Sequence, residues 1–140
     1  MAHLTAFYLE AHDCLSTVLP TFWGPAEHLP RDEDGMVAPS AVLWPTPGTV
    51  RTRADGTTTS GRVEGLRLVL VGPDVLSVLE AVDMARAVLV GKRMRASGRG
   101  GGPVTESGFA PGEPQPEPGT DPVRVSVSVT LSAITKETTA

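Results

Sequence analysis

The feature that most limits how this chain can fold is a strict alternation near its C-terminal end. Residues Val123 to Thr135 read VRVSVSVTLSAIT, so apolar residues and small polar residues take turns. Because successive side chains of a strand lie on opposite faces, the stretch predicts a strand with one apolar and one polar face. The apolar face comprises Val123, Val125, Val127, Val129, Leu131 and Ala133, and the polar face comprises Arg124, Ser126, Ser128, Thr130 and Ser132. The apolar face needs a core, whereas the polar face suits either water or the sheet of another chain.

Two further stretches have the spacing of amphipathic helices. Apolar residues recur at intervals of three and four between Leu4 and Leu19, and Pro20 ends that pattern. A second helix is expected from a cap at Asp74 to about Val90. Its apolar face is predicted to consist of Val75, Leu76, Val78, Leu79, Val82, Ala85 and Leu89.

The middle of the chain predicts two strands and a turn. Residues Ala38 to Arg53 favour a strand, but Pro45 and Pro47 restrict it to an edge, a bulge or a broken strand, and we expect an edge. Ala54 to Gly61 has the composition of a turn and includes an Asp-Gly pair, which predicts a hairpin. The near-continuous apolar residues of Arg62 to Val71 are typical of a central strand.

Residues 96–122 are dominated by glycine and proline and show no hydrophobic period. A segment of this composition predicts a long loop that holds no core, with Val104 and Phe109 as its anchors. We therefore expect a single domain over residues 1–140 with a Gly/Pro-rich extended loop at 96–122. The fold class is α+β, an antiparallel or mixed sheet with two helices packed on one face, a long hairpin loop and the long Gly/Pro-rich loop.

Composition excludes several classes of function. The 140 residues carry a formal net charge of -4, which disfavours a nucleic-acid surface made by bulk charge. Cys14 is the only cysteine, so no intramolecular disulfide and no cysteine-based zinc site can form. No window of about 18 residues is free of charge, so we expect no membrane span.

The residues that could carry chemistry do not form a recognisable site. The glycine run SGRGGGP follows a helix, whereas phosphate-binding loops precede one. His3 and His12 are too far apart on one helix to share a metal ion, and His12 and Cys14 diverge around the helix. The sequence therefore predicts no catalytic residue, no cofactor and no metal site, and a protein that is not an enzyme. A basic group, Arg86, Lys92, Arg93, Arg95 and Arg99, favours compensation of the helix dipole over contact with nucleic acid.

Four stretches together resemble a known family. They are LTAFYLEAHDCLSTVLP, VRTRADGTTTSGRVEGLRLVLVG, PDVLSVLEAVDMARAVLV and VRVSVSVTLSAI, in that order along the chain. Their size, order and texture resemble those of the tail terminator, or tail completion, proteins of long-tailed bacteriophages. The resemblance implies a structural virion protein that forms a ring, commonly a hexamer, at the head-proximal end of the tail tube. Such a ring stops tube growth and joins the tail to the head.

The resemblance also implies partners and a location. The partners would be other copies of the chain, the tail tube protein, a neck or head-completion protein and the DNA that passes through the ring channel. The location would be the virion, preceded by the host cytoplasm during assembly. The loops at Arg51 to Arg62 and at 96–122 would reach these partners and become ordered on binding. The implied interface residues are Arg51, Arg53, Arg62, Arg93, Arg95, Arg99, Phe109, Arg124, Ser126, Ser128 and Thr130.

Three alternatives remain open at the level of sequence. A head-tail connector or stopper protein of the neck has the same texture. A small-molecule enzyme or binding module would use a pocket at a subunit interface, supplied by His12, His28 and Arg67. An adaptor would bind a peptide as an added strand at the edge that carries Trp44.

Overall fold

Two long neighbouring strands run through the whole sheet. The computed structural model describes residues 2–24, 29–45, 49–52, 58–92, 99–101, 104–117 and 124–137. The helices are α1 (Ala2–Ser16) and α2 (Val75–Leu89), and a 3₁₀ turn covers Glu106–Gly108. The strands are β1 (Thr21–Trp23), β2 (Ser40–Pro45), β3 (Thr49–Thr52), β4 (Thr58–Gly72), β5 (Arg99–Gly101), β6 (Phe109–Pro111), β7 (Gln115–Glu117) and β8 (Arg124–Glu137).

Strands β4 and β8 are antiparallel and pair over twelve residues, from Gly61 opposite Lys136 to Gly72 opposite Val125. Strand β2 pairs with one half of the other edge of β4, and β3 pairs with the other half. Strand β1 lies parallel to β2, so the sheet is mixed. On its far side β8 pairs in turn with β5, β6 and β7.

One face of this sheet carries the hydrophobic core. Leu66, Leu68 and Leu70 of β4 are fully buried, and their β8 partners Leu131, Val129 and Val127 are buried with them. Both helices contribute to the same cluster of buried side chains, through Ala11 and Leu15 of α1 and through Val78, Ala81, Val82, Ala85 and Leu89 of α2. The predicted fold class, an α+β fold with both helices on one face of a mixed sheet, is confirmed.

Helix α2 begins as predicted and buries part of its predicted face, namely Val78, Val82, Ala85 and Leu89. The Asp74 carboxylate accepts a hydrogen bond from the Ser77 N–H at 2.8 Å, which is the expected cap. Val75, Leu76 and Leu79 were expected in the core, yet all three are exposed. The reason is the position of these residues around the helix axis. They lie to one side of the row formed by Val78, Ala85 and Leu89, and that row already fills the space above the sheet.

The Gly/Pro-rich segment is the largest departure from the sequence prediction. Its described residues lie along the free edge of β8 and include three short strands, although the sequence predicted a long loop that holds no core. Val104 and Phe109 are the buried anchors, as predicted. Gly108 allows this close approach, because a Cβ there would lie 2.5 Å from the Ser132 carbonyl oxygen. We call residues 104–117 the strap.

Two predicted boundaries also differ. Strand β2 was expected at an edge, but β1 pairs with its residues Ala41 to Leu43, and the Gly24 N–H donates to the Leu43 carbonyl. Strand β4 begins at Thr58, so residues 58–61 of the predicted turn belong to the strand. The pairing partners supplied by β3 and β8 explain that extension.

Among the described residues, no helix is both long and apolar enough to cross a membrane.

We expect the Asp74 cap to make stability depend on pH. The N–H and hydroxyl of Ser77 lower the pKa of the Asp74 carboxyl below its usual value. The resulting stabilisation is present above the unfolded-state pKa and is lost as the pH falls through the lower folded-state pKa. Chemical denaturation of wild type and Asp74→Asn should therefore differ at neutral pH, and the two stabilities should converge as the pH falls through the lowered folded-state pKa of Asp74. A difference that persists unchanged at low pH would contradict this role.

Removing the Phe109 anchor should release the strap. Phe109→Ala deletes a buried aromatic ring and should lower the free energy of unfolding by about 3–5 kcal/mol, measured by guanidinium denaturation. Hydrogen exchange at the Gly112 amide, which donates to the Ser128 carbonyl, should speed up as well. Ala110→Ser, at the exposed neighbouring position, is the control and should change stability by less than about 0.5 kcal/mol. Equal effects of the two substitutions would show that Phe109 does not anchor the strap.

Candidate subunit interface

The sheet face opposite the helices is the candidate site. Its side chains come from alternate positions of three adjacent strands, aligned by the register. From one end of the strands to the other, the cross-strand rows are Ser40–Val71–Ser126, Val42–Val69–Ser128 and Trp44–Arg67–Thr130. Both helices pack on the other side, so neither covers these rows. We call this surface the outer face.

The outer face is closed at one end and open at the other. Ser40, Val42 and Val71 are buried, so the row nearest the start of β2 is already covered within the chain. Arg67, Ser128 and Thr130 are exposed. The open area is therefore bounded by one cation and two small hydroxyl side chains. Small side chains let another backbone approach closely, and hydroxyl groups can bond to either donors or acceptors.

A tryptophan and an arginine border the open area. The Trp44 ring packs directly over Gly24, and the Arg67 guanidinium carbon lies 5.4 Å from the Trp44 ring centroid. This distance is within the range of a cation–π contact. Arg67 is thereby held across the sheet surface and supplies fixed positive charge beside the hydroxyl groups of β8.

The edges of the sheet are less suited to contact another chain. The strap covers β8, and its outermost strands include Pro111 and Pro116, which have no N–H to donate to an added strand. At the opposite edge β1 and Gly24 already pair with β2 as far as Leu43. The peptide-binding edge considered at Trp44 is thus partly filled by the chain itself. Among the described residues the outer sides of β1 and β3 have no paired strand, so these two edges and the outer face are the surfaces left for another chain.

The predicted interface residues fall into separate places. Ser128 and Thr130 are exposed on the outer face, and Ser126 is half-buried there. The structure corrects the prediction that Phe109 is an interface residue. Phe109 lies in the core of a single chain, is only 2% exposed and is not available to a neighbour. Arg124 forms an ion pair with Glu117 of the strap.

Three of the remaining predicted arginines are on strands at the far end of the sheet. Arg51, Arg62 and Arg99 lie on β3, β4 and β5; β3 pairs with β4, and both β4 and β5 pair with β8. Arg53, Arg93 and Arg95 lie outside the described residues.

Arg86 has an internal role that the sequence did not indicate. Its guanidinium carbon lies 5.3 Å from the Phe109 ring centroid, and its Nε lies 3.6 Å from a Glu106 carboxylate oxygen. Both contacts tie the strap to α2. The sequence placed Arg86 in a basic group that compensates the helix dipole. In the structure its guanidinium also contacts the strap. The Arg86–Glu106 spacing in sequence gives no signal from which this contact could be predicted.

Two of the three groups considered for a small-molecule site, His12 and Arg67, are on opposite faces of the sheet. His12 lies on α1 and stacks on Trp23 at 4.8 Å between ring centroids, whereas Arg67 is on the opposite face of the sheet. His28 is outside the described residues. Burial raises the pKa of the Cys14 thiol, which disfavours the thiolate. The described part of the chain holds no group of three or more side chains that could bind a metal ion.

We expect Gly24 to be needed beneath Trp44. Gly24→Ala would place a methyl group within the space of the indole ring and should destabilise the protein by about 1–3 kcal/mol in urea denaturation. In a Trp44→Leu background the same substitution should cost much less, because the ring that it displaces is gone. An equal cost in both backgrounds would locate the effect in the backbone instead of in the ring contact.

Comparison with known proteins leaves the function to be argued from this geometry. No protein-family model matches the chain. No curated protein matches it in sequence.

Proposed function

We propose that the chain is a ring-forming structural protein of a phage virion, a tail terminator at the head-proximal end of the tail tube. The observation that carries the proposal is the open part of the outer face, where Ser128 and Thr130 are exposed beside Arg67 and no helix covers them. A sheet with one face in the core and a second face that is partly open is suited to pack against a second sheet. In this proposal the chain has no catalytic role, and its function lies in its interfaces.

The shape of the sheet supports the same proposal. Strand β4 has 15 residues and spans roughly 50 Å, whereas α2, also with 15 residues, spans only about 22 Å. The strands therefore continue past the helices. Leu66 on β4 and Ala133 on β8 are the last described core residues before this extension. We call the extension the arm; it comprises Thr49–Thr52, residues 58–65, Arg99–Gly101 and residues 134–137.

A ring subunit needs two surfaces on each copy, and the chain offers both. The outer face provides a broad surface, and the arm provides a projection that can reach beyond the body of one subunit. Neighbouring copies would use these surfaces to close the ring. The tail tube protein and a neck protein would bind the two rims of that ring. DNA would pass through its channel.

Lysines on the outer face should abolish the ring without unfolding the subunit. Ser128→Lys combined with Thr130→Lys places two long, charged side chains where a neighbouring sheet would pack, and both native residues are exposed in one chain. We expect the circular dichroism spectrum and thermal midpoint to change little. Light scattering, alone and with tail tube protein, should show a ring mass for the wild type and a monomer for the variant.

Ala87→Lys is the matched control, because Ala87 is exposed on α2, away from the outer face. This variant should assemble like the wild type. An intact ring in the Ser128→Lys/Thr130→Lys variant would refute the proposed contact. A wild-type chain that stays monomeric both alone and with tail tube protein would refute the terminator proposal itself.

A further inference from the structure

The charged residues of the chain are segregated along the strands. Among the described residues the arm carries four basic residues and two acidic ones. They are Arg51, Arg62, Arg99 and Lys136, with Glu64 and Glu137. The pairing of β3, β4, β8 and β5 brings these positions to one end of the sheet: Arg62 is opposite Thr135, and Arg99 is opposite Glu137. In the sequence these six charged residues are spread over positions 51–137.

The opposite end of the sheet is acidic. Asp32, Glu33 and Asp34 are exposed on a turn that leads into β2, whose first residue Ser40 pairs with Val71, at the end of β4 farthest from the arm. We call residues 31–37 the acidic turn. Hydrogen bonds fix its backbone: the Asp32 carboxylate accepts them from the N–H groups of Asp34 and Met36.

The one cation of the acidic turn is engaged within it. The Arg31 guanidinium donates to the Gly35 carbonyl at 2.6 Å. Glu33 and Asp34 therefore lie at the tip of a turn whose backbone is fixed by hydrogen bonds. Asp74, the cap of α2, lies directly after β4 and adds a further carboxylate to this end of the sheet.

A nucleic acid is a poorer match for the arm than a second protein copy. Outside the arm, the described residues include eleven acidic side chains and five basic ones. Two of those five, Arg86 and Arg124, are paired with carboxylates of the strap. A polyanion that lay along the arm would meet charge of its own sign on the body. A second copy instead presents an acidic end to a basic arm.

We propose that the arm of one copy docks against the acidic turn of the next, in a head-to-tail contact directed by charge. The argument is the complementarity between the two ends of the same chain. Such a contact uses different surfaces on the two partners, and it closes into a ring when the rotation between copies allows. The proposal rests on the ring function above and names the contact that joins neighbouring copies.

Charge reversal at each end tests the contact. The arm variant is Arg51→Glu with Arg62→Glu, and the turn variant is Glu33→Lys with Asp34→Lys. Sedimentation equilibrium should show that self-association of the wild type weakens at least about tenfold between about 50 mM and about 500 mM salt. Each variant alone should associate at least about tenfold more weakly than the wild type at low salt.

Restoration distinguishes a charge contact from damage to the fold. An equimolar mixture of the arm and turn variants should recover association, because each arm then meets an end of opposite sign. The four substitutions in one chain should recover it as well. Glu80→Lys with Glu113→Lys is the control for the turn variant, since it makes the same change of net charge at exposed positions on α2 and the strap. This control should associate like the wild type.

Several outcomes would overturn the proposal. One is wild-type self-association that is absent at low salt. A second is self-association that responds neither to salt nor to the two charge reversals, and a third is failure of the equimolar mixture to recover self-association. Loss of binding to a short duplex DNA in the arm variant, with self-association intact, would assign the arm to nucleic acid. A ring that persists in both reversed variants would refute this contact while leaving the ring function standing. A wild-type chain that is monomeric with tail tube protein would refute the ring function.

Discussion

The pairing of β4 with β8 is the constraint on which the rest of the structure depends. Twelve residue pairs align the apolar positions of two strands that are more than fifty residues apart in sequence. That register places Leu66, Leu68 and Leu70 beside Leu131, Val129 and Val127, and so creates the surface onto which both helices pack. A slip of one residue would move every one of these side chains to the other face. The same register therefore decides both the core and the outer face.

The strap completes β8 and limits how the sheet can meet other chains. Without it, β8 would present a long row of unpaired N–H and carbonyl groups, which readily pair with another strand. Phe109 and Val104 hold the strap through burial, and Arg86 holds it through Glu106 and the Phe109 ring. The prolines on the strap then make its outer edge a poor partner for a further strand. The contacts proposed between copies therefore use the outer face, the arm and the acidic turn.

The two faces and the two ends of the sheet give the molecule two independent polarities. Across the sheet, an aliphatic face lies opposite an outer face that combines hydroxyl groups with valines and has Arg67 and Trp44 at its border. Along the strands, basic positions gather on the arm and acidic positions gather at the far end. The first polarity concerns burial, which is short-ranged, and the second concerns charge, which orients approaching molecules before they touch. An assembling subunit can use both.

The sequence by itself determined the elements whose signal is local. Alternation over Val123 to Thr135 predicted β8 and its two faces, the helical spacing and Asp74 predicted α2, and these were enough for the fold class. Tertiary structure decided the rest. The strap has too few apolar residues for a period, and it is ordered by pairing with a strand that lies later in the chain. Which part of the predicted α2 face is buried, the Arg86 contacts and the position of β3, β4 and β5 at one end of the sheet all depend on residues distant in sequence. No local pattern records such neighbours, because they are set by the register of β4 and β8.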